Sequence, residues 1–313
     1  MRRCLVTGGA GFIGSHIAGA LLEQGASVRV LDNFSRGKRE NLAMVAESGS
    51  VGRLEVIEGD LRDSAKLAEA VRGVETIFHE AALVSVPESI LRPEECLDVN
   101  VTGTSRLLEA ARRAGVRRLV LASSAAIYGD SSALPLSETF PPKPLSPYAA
   151  SKCANELYGA MYTRAFGLEV TALRYFNVYG PRQRPDSMYA AAVPIFVHRL
   201  LSGGPVTIFG DGKQTRDLIF VGDVVDANLI AADHPLAPAQ VFNVSTGIET
   251  SLLDLLDELN RLCPGSPKPV FEAPRPGDIY KSLGSPEKAR TVLGFQARTS
   301  LADGLEATLK WMQ

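Results

Sequence analysis

Tyr148 and Lys152 stand four residues apart in the segment Pro147-Tyr148-Ala149-Ala150-Ser151-Lys152, a spacing that stacks them on one face of a helix. An ammonium group beside a phenol favours the phenolate. It lowers a pKa that is about 10 in water toward the range in which the oxygen exchanges protons with a substrate hydroxyl. Upstream, Ser123 and Ser124 end the apolar run Leu119-Val120-Leu121-Ala122, and Ser124 is placed to share that hydroxyl and relay its proton to Tyr148. Both readings have an ordinary alternative. A tyrosine and a lysine at this spacing occur by chance in many helices, and Ser124 could serve as an ST-turn or a helix cap.

The element that opens the chain supplies the context. Cys4, Leu5 and Val6 read as a buried strand, and the periodic set Phe12, Ile13, Ile17, Ala20 and Leu21 as the following helix. Between them runs Thr7-Gly8-Gly9-Ala10-Gly11-Phe12-Ile13-Gly14. There Gly8 permits a tight turn, Gly11 lets a pyrophosphate approach the backbone and Gly14 lets helix pack on strand, while the helix N-terminus offers N–H groups to anionic oxygens. A second strand, Ser27 to Leu31, ends in Asp32, the acid expected roughly 20 residues after the glycines to bond an adenosine ribose. Turn capping is the alternative role for Asp32. Its charge would repel a 2′-phosphate and so favours NAD over NADP, although Arg36, Lys38 and Arg39 pull the other way. With a dinucleotide in place the Tyr148 and Lys152 pair gains a task, and a positively charged nicotinamide ring would act on the phenol in the same direction as Lys152.

Strand candidates recur at Leu5-Val6, Val28 to Leu31, Leu54 to Ile57, Thr76 to His79, Arg118 to Ala122 and Val170 to Arg174, with helical patterns between them. This predicts an α/β fold: a Rossmann-type, doubly wound parallel sheet. Asp60-Leu61 and His79-Glu80-Ala81-Ala82 fall at its carboxyl edge, where such sheets bind ligands. After Tyr179 the punctuation by Gly and Pro becomes dense. We expect an NAD-binding domain over 1–178 plus 217–248 and a smaller C-terminal substrate-binding lobe over 179–216 plus 249–313. The helix around Val221 to Ala232 and the strand Val241 to Val244 return to the main domain.

With 313 residues, 45% of them hydrophobic, the chain can bury a sizeable core. A net charge of −2 without long runs of one sign suggests neither a nucleic-acid nor a membrane partner. No signal-peptide pattern or spanning run is present, so a cytoplasmic location is expected. The four cysteines, Cys4, Cys96, Cys153 and Cys263, are widely spaced and read as reduced structural thiols, with no metal site.

These residues, together with Arg174-Tyr175-Phe176-Asn177-Val178-Tyr179-Gly180, Gln214-Thr215-Arg216-Asp217 and Arg275-Pro276-Gly277-Asp278, resemble an extended short-chain dehydrogenase/reductase of the nucleotide-sugar epimerase type. The resemblance runs nearly end to end. It implies an NAD that stays bound and is not consumed. The NAD takes the C4 hydride of a UDP-sugar while tyrosine takes the hydroxyl proton; the 4-keto sugar then turns over, and hydride returns to its other face. By the same resemblance Lys152 bonds the cofactor ribose, and Phe12, Ile13, Asn33, Asp60, Leu61, Ala81, Ala82, Asn100, Ser123 and Tyr175 join Gly8, Gly11, Gly14 and Asp32 along the NAD. Val86, Ser124, Tyr148, Asn177, Val193, Arg216, Arg275, Asp278 and Ser282 face the UDP-sugar.

Arginine suits a diphosphate because its fixed fork matches the oxygens, although Arg216 and Arg275 could instead pair with Asp217 and Asp278 at the surface. Residue 125 selects the reaction. Dehydratases and decarboxylases of this type carry a carboxylate directly after the strand serine or threonine. Ala125 offers neither acid nor base there, which favours simple 4-epimerisation. Val84, Met188 to Pro194 and a small gate residue, Ser282, point to a site with room for a 2-acetamido group. The expected substrates are therefore UDP-Glc and UDP-Gal together with UDP-GlcNAc and UDP-GalNAc. A register two residues different would make Tyr280 the gate and reverse this preference. UDP-glucuronate 4-epimerisation, a net redox reaction and a non-catalytic NAD-sensing regulator are the competing readings. A homodimer through the helices at Gly103 to Ala114 and Ala149 to Phe166 completes the expectations.

Overall fold

The computed structural model describes residues 2–47, 53–184, 192–274 and 279–313. Seven strands form its main sheet: β1 (Arg3–Thr7), β2 (Ser27–Asp32), β3 (Leu54–Glu58), β4 (Thr76–His79), β5 (Arg118–Ser124), β6 (Glu169–Tyr175) and β7 (Val241–Val244). Their order is β7-β6-β5-β4-β1-β2-β3, and every neighbouring pair is parallel. The predicted doubly wound sheet is the one that forms. Its central strands read as unbroken apolar runs because both faces are covered, whereas β3, at the edge, leaves Val56 exposed.

One face of the sheet packs against the helices Phe12–Glu23 and Val221–Asp233, burying Ile17, Leu21, Phe78, Val224 and Phe242. The other is covered by Ser64–Ala70, Gly103–Arg113 and Pro147–Phe166, which bury Leu67, Leu107, Leu108 and Tyr162 against Leu5, Ile77 and Leu119. Each fully buried leucine of this kind contributes about 1.5–3 kcal/mol.

A third core gathers Tyr179, Val193, Phe196, Val197, Ile208, Leu255, Leu256, Leu259, Leu305 and Leu309 in the smaller lobe. Its helix Leu252–Leu262 starts at a capping box in which Ser251 and Asp254 bond each other's backbone amides. Chain exchange between the lobes is tied at Asp217. This fully buried carboxylate accepts from Thr246 N (2.8 Å), Thr246 Oγ1 (2.7 Å), Gly247 N (2.9 Å) and Gly284 N (3.1 Å).

Candidate active site

The strand order reverses beside β1, between connections that run outward through β2 on one side and β4 on the other. The carboxyl ends of these strands leave the crevice in which such sheets bind ligands. Gly8 follows β1 with a φ of 68°, and a Cβ there would stand 2.8 Å from the amide nitrogen of Ala81. Only glycine lets the two strand ends close on each other in this way. At Gly14 a Cβ would run into the Gly8 carbonyl oxygen, which is the close helix-to-strand packing expected of the third glycine. Gly11 stands at the N-cap of the helix with no side chain capping it, so the first-turn amides at Phe12 and Ile13 face the crevice as an anion cradle. This geometry fits a dinucleotide pyrophosphate.

Asp32 ends β2 buried. It accepts from Ala10 N (2.9 Å) and Phe34 N (2.8 Å); burial pushes its carboxyl up and the two amides pull it back. Two of the nearby cations are engaged elsewhere: Arg36 pairs with Glu88, and Arg39 pairs with Glu58 at 2.5 Å and lies over the Phe34 ring. Asn33 donates to Asp60 at 2.8 Å, and Arg62 grips the same carboxylate through Nε (2.8 Å) and Nη2 (2.9 Å), holding its pKa well below the usual range. Leu61 is buried against Gly103, and Ala81 and Ala82 are half-buried.

The reactive groups arrive from β5 and the helix Pro147–Phe166. Ser146 caps this helix by accepting from Ala149 N (3.1 Å), Pro147 occupies its first turn, and Gly167 ends it in the left-handed conformation. Tyr148 and Lys152 thus share one face, with the ammonium 5.7 Å from the phenol ring. Lys152 is buried and donates to Ala122 O at 2.8 Å; burial lowers its pKa to about 8 against the attraction of Glu80. Ser124 accepts from Ala126 N (3.1 Å) as the cap of a short 3₁₀ turn, and its hydroxyl lies close enough to the Tyr148 phenol to favour the charged form.

The phenol itself departs from expectation. Burial pushes it up to about 12, the neighbouring Ser124 hydroxyl pulls it down, and Glu80 adds to the rise. Lys152 is turned to a backbone carbonyl and shares its field with Glu80, so in the protein alone Tyr148 is a protonated acid.

Asn100 and Ser123 hold the site from behind. Asn100 lies in a π-turn, Asp98–Thr102, within the helical stretch from Pro93 to Arg113. Its side chain accepts from Leu83 N (2.7 Å) and donates to Leu83 O (3.0 Å) and Ser151 Oγ (3.0 Å). It therefore clamps the loop that carries Ala81 and Ala82 to the catalytic helix. Ser123 donates to Glu156 at 2.5 Å, within a buried chain that continues through Arg174 to the Tyr128 phenol (2.8 Å) and from there to Asn243 (2.6 Å).

On the substrate side Asn177 begins the strand Asn177–Tyr179, with its amide on Asp217 O at 3.0 Å. Arg216 lies half-buried on the short strand Thr215–Arg216, beside Ser282 in parallel register. Asp217 is not its surface partner, since that carboxylate is spent on the four bonds described above. Tyr280 is exposed, with its hydroxyl on Asp211 at 3.0 Å. Val86 is exposed at the first turn of Val86–Leu91, and the Val193 side chain is packed in the small-lobe core. Arg275 and Asp278 lie outside the described residues, as do residues 185–191.

Glu80, placed by the sequence at the sheet's carboxyl edge, carried no assigned role there, and neither did Asn228. Glu80 accepts from the Tyr175 phenol at 2.9 Å, and Asn228 meets the same oxygen through Nδ2 at 2.8 Å. The available signal was an acid placed directly after a strand of four buried residues.

A dinucleotide cradle beside a serine, tyrosine and lysine defines the NAD-dependent short-chain dehydrogenase/reductase class. The chain belongs to the NAD dependent epimerase/dehydratase family, whose model matches residues 4–245. It is 43% identical to a UDP-glucose 4-epimerase of Mycolicibacterium smegmatis, over 99% of this chain and 98% of that protein. Among solved structures it resembles the UDP-N-acetylglucosamine 4-epimerase of Methanobrevibacter ruminantium in complex with UDP-N-acetylmuramic acid (TM-score 0.94, 35% identity). It also resembles the UDP-glucose 4-epimerase of Thermotoga maritima with UDP-glucose (TM-score 0.93, 39% identity). Each of these matches covers 99% of this chain and 98% of the other.

Proposed function

We propose that the protein is a UDP-hexose 4-epimerase acting on UDP-Glc and UDP-Gal and also on UDP-GlcNAc and UDP-GalNAc. The observation that carries this reading is that Tyr148 and Lys152 share one helix face, the ammonium 5.7 Å from the phenol ring, beside the strand-end Ser124, which is followed by Ala125 where a carboxylate would divert the reaction. Bound NAD supplies the two-electron acceptor and donor that inversion through a transient 4-ketone requires.

The chain's own groups do the rest. Ser124 holds the C4 hydroxyl and passes its proton to Tyr148, which returns it after the sugar turns. With its pKa raised in the protein alone, Tyr148 must first give up its own proton to solvent, and the charges of Lys152 and of the oxidised cofactor would favour the phenolate that then accepts the substrate's proton. Gly8, Gly11, Gly14, Phe12 and Ile13 cradle the pyrophosphate, and Asp32 and Asn33 take the adenosine ribose. Asp60, Leu61, Ala81, Ala82 and Tyr175 line the path between. Asn100 and Ser123 act through side-chain hydrogen bonds that fix the loop and the helix around the cofactor.

Asn177 and Arg216 support the UDP, joined by Arg275 and Asp278. Ser282 next to Arg216 supports a small gate, and the engagement of the Tyr280 hydroxyl by Asp211 argues against the alternative register. Residues 1–178 plus 217–248 would hold NAD, and 179–216 plus 249–313 the nucleotide sugar. The exposed Leu157, Tyr158, Met161 and Phe166 on the helix Pro147–Phe166, which packs beside Gly103–Arg113, support a homodimer through these helices.

The test is to incubate the purified protein with UDP-Glc, UDP-GlcNAc and UDP-glucuronate separately, without added NAD. Galactose and N-acetylgalactosamine products are expected, with no net reduction of cofactor. Conversion of UDP-glucuronate alone, or stoichiometric consumption of added NAD, would overturn the reading.

A further inference from the structure

We propose that Glu80, held by the Tyr175 phenol at the end of β4, is a positioning residue whose carboxylate favours the oxidised, positively charged nicotinamide over its neutral reduced form. The inference rests on the function proposed above. Glu80 donates its amide to Thr7 O at 3.1 Å, and its own carbonyl carbon stands 3.0 Å from where a Gly8 Cβ would be, so it lies on the wall of the dinucleotide crevice. Its Oε1 takes the Tyr175 hydroxyl at 2.9 Å. That hydroxyl is braced by Asn228, whose Nδ2 also donates to Val224 O at 2.8 Å. The side chain is thus fixed rather than free to reach solvent.

The charged and titratable groups within its field are Lys152, Tyr148 and Tyr175. Burial raises the Glu80 carboxyl to about 7, while Tyr175 and Lys152 oppose this, and a cation beside it would oppose it further. Lys152 by itself would leave the pocket positive and would draw electrons onto the ring. Glu80 offsets that charge.

The balance of the step shows why this matters. The sugar loses the C4–H bond with its electron pair and its hydroxyl proton goes to Tyr148. Bound NAD would take that pair as hydride and give it back, its ring losing and regaining a positive charge. Glu80, a fixed anion on the crevice wall, would favour the return and shorten the life of the ketone.

The experiment compares wild-type, Glu80→Gln and Tyr175→Phe holoproteins in redox-dye titrations that follow the near-ultraviolet absorbance of reduced nicotinamide. Glu80→Gln should raise the reduced-to-oxidised ratio about tenfold at a fixed dye potential, the scale of one buried unit charge, or about 30 mV upward for this two-electron couple. Tyr175→Phe should give a smaller shift in the same sense. An unchanged potential in Glu80→Gln overturns the inference; if that variant does not retain cofactor, an unchanged potential in Tyr175→Phe does so. A wild-type protein that holds no NAD or epimerises nothing defeats the proposed function itself, so the two failures are distinct.

Discussion

Ser282 pairs with Arg216 in parallel register, and in the proposed reading its small side chain leaves room for a 2-acetamido substituent that a ring would displace. Ser282→Tyr should abolish turnover of UDP-GlcNAc while sparing UDP-Glc, measured as kcat/KM for each; equal losses would show that residue 282 is not the gate. A different single residue sets an acid limit on stability. His79 is buried between Thr7 Oγ1 (2.7 Å) and Thr104 Oγ1 (2.8 Å). Burial holds its imidazole down, to about 3 from an ordinary 6.5, and that of His16 to about 4. Between those values and 6.5 the unfolded chain binds more protons than the folded one, so stability is full above about pH 6.5 and falls as the pH drops through the window. Thermal melts over that range should show the fall, with a shallower slope in His79→Gln. A slope unchanged by the substitution would remove His79 from the account. At this scale Tyr148, Lys152, Ser124 and Asp32 were legible because their types and spacings carry chemistry. Glu80 was not, since a strand-end acid declares nothing until a distant tyrosine reaches it.

Among the elements, the helix Pro147–Phe166 is held to the sheet by polar as well as apolar contacts. Glu156 meets Arg174 of β6 at 2.8 Å and 2.9 Å and Ser123 of β5 at 2.5 Å, all buried. Removing one partner strands the other charge in the interior. Glu156→Ala should therefore cost about 3–5 kcal/mol in urea unfolding, whereas Glu156→Leu with Arg174→Met should recover most of it. A loss under about 1 kcal/mol in the single variant would mean that the pair is effectively hydrated. Strand positions were readable from short apolar runs, and this helix from its Ser146-Pro147 start. The π-turn at Asp98–Thr102 was not readable. It depends on contacts with Asn155, whose Nδ2 donates to Asn100 O at 2.9 Å, and no local spacing announces that partner.

For the whole molecule, the exposed apolar side chains on the Pro147–Phe166 helix, beside Gly103–Arg113, support the proposed homodimer. Leu157 is 73% exposed, which is costly to leave in water on a helix that also exposes Met161 and Phe166. Light scattering should give a dimer for the wild type and a monomer for Leu157→Glu; a monomeric wild type would remove the dimer proposal. Among the described residues no helix is long and apolar enough to cross a membrane.

The sequence by itself determined the doubly wound class, the glycine turn, the acid after β2 and the serine, tyrosine and lysine. Each of these is a local pattern: the strand runs, the helical spacing of Tyr148 and Lys152, and glycines where a Cβ would clash. Only the tertiary structure decided how the charges interact. It turned Lys152 to Ala122 O, set Glu80 against Tyr175, raised the Tyr148 phenol and enclosed Asp217 in four hydrogen bonds. Desolvation and pairing depend on which distant groups share a buried space, and that follows from how the chain packs rather than from the spacing of residues along it.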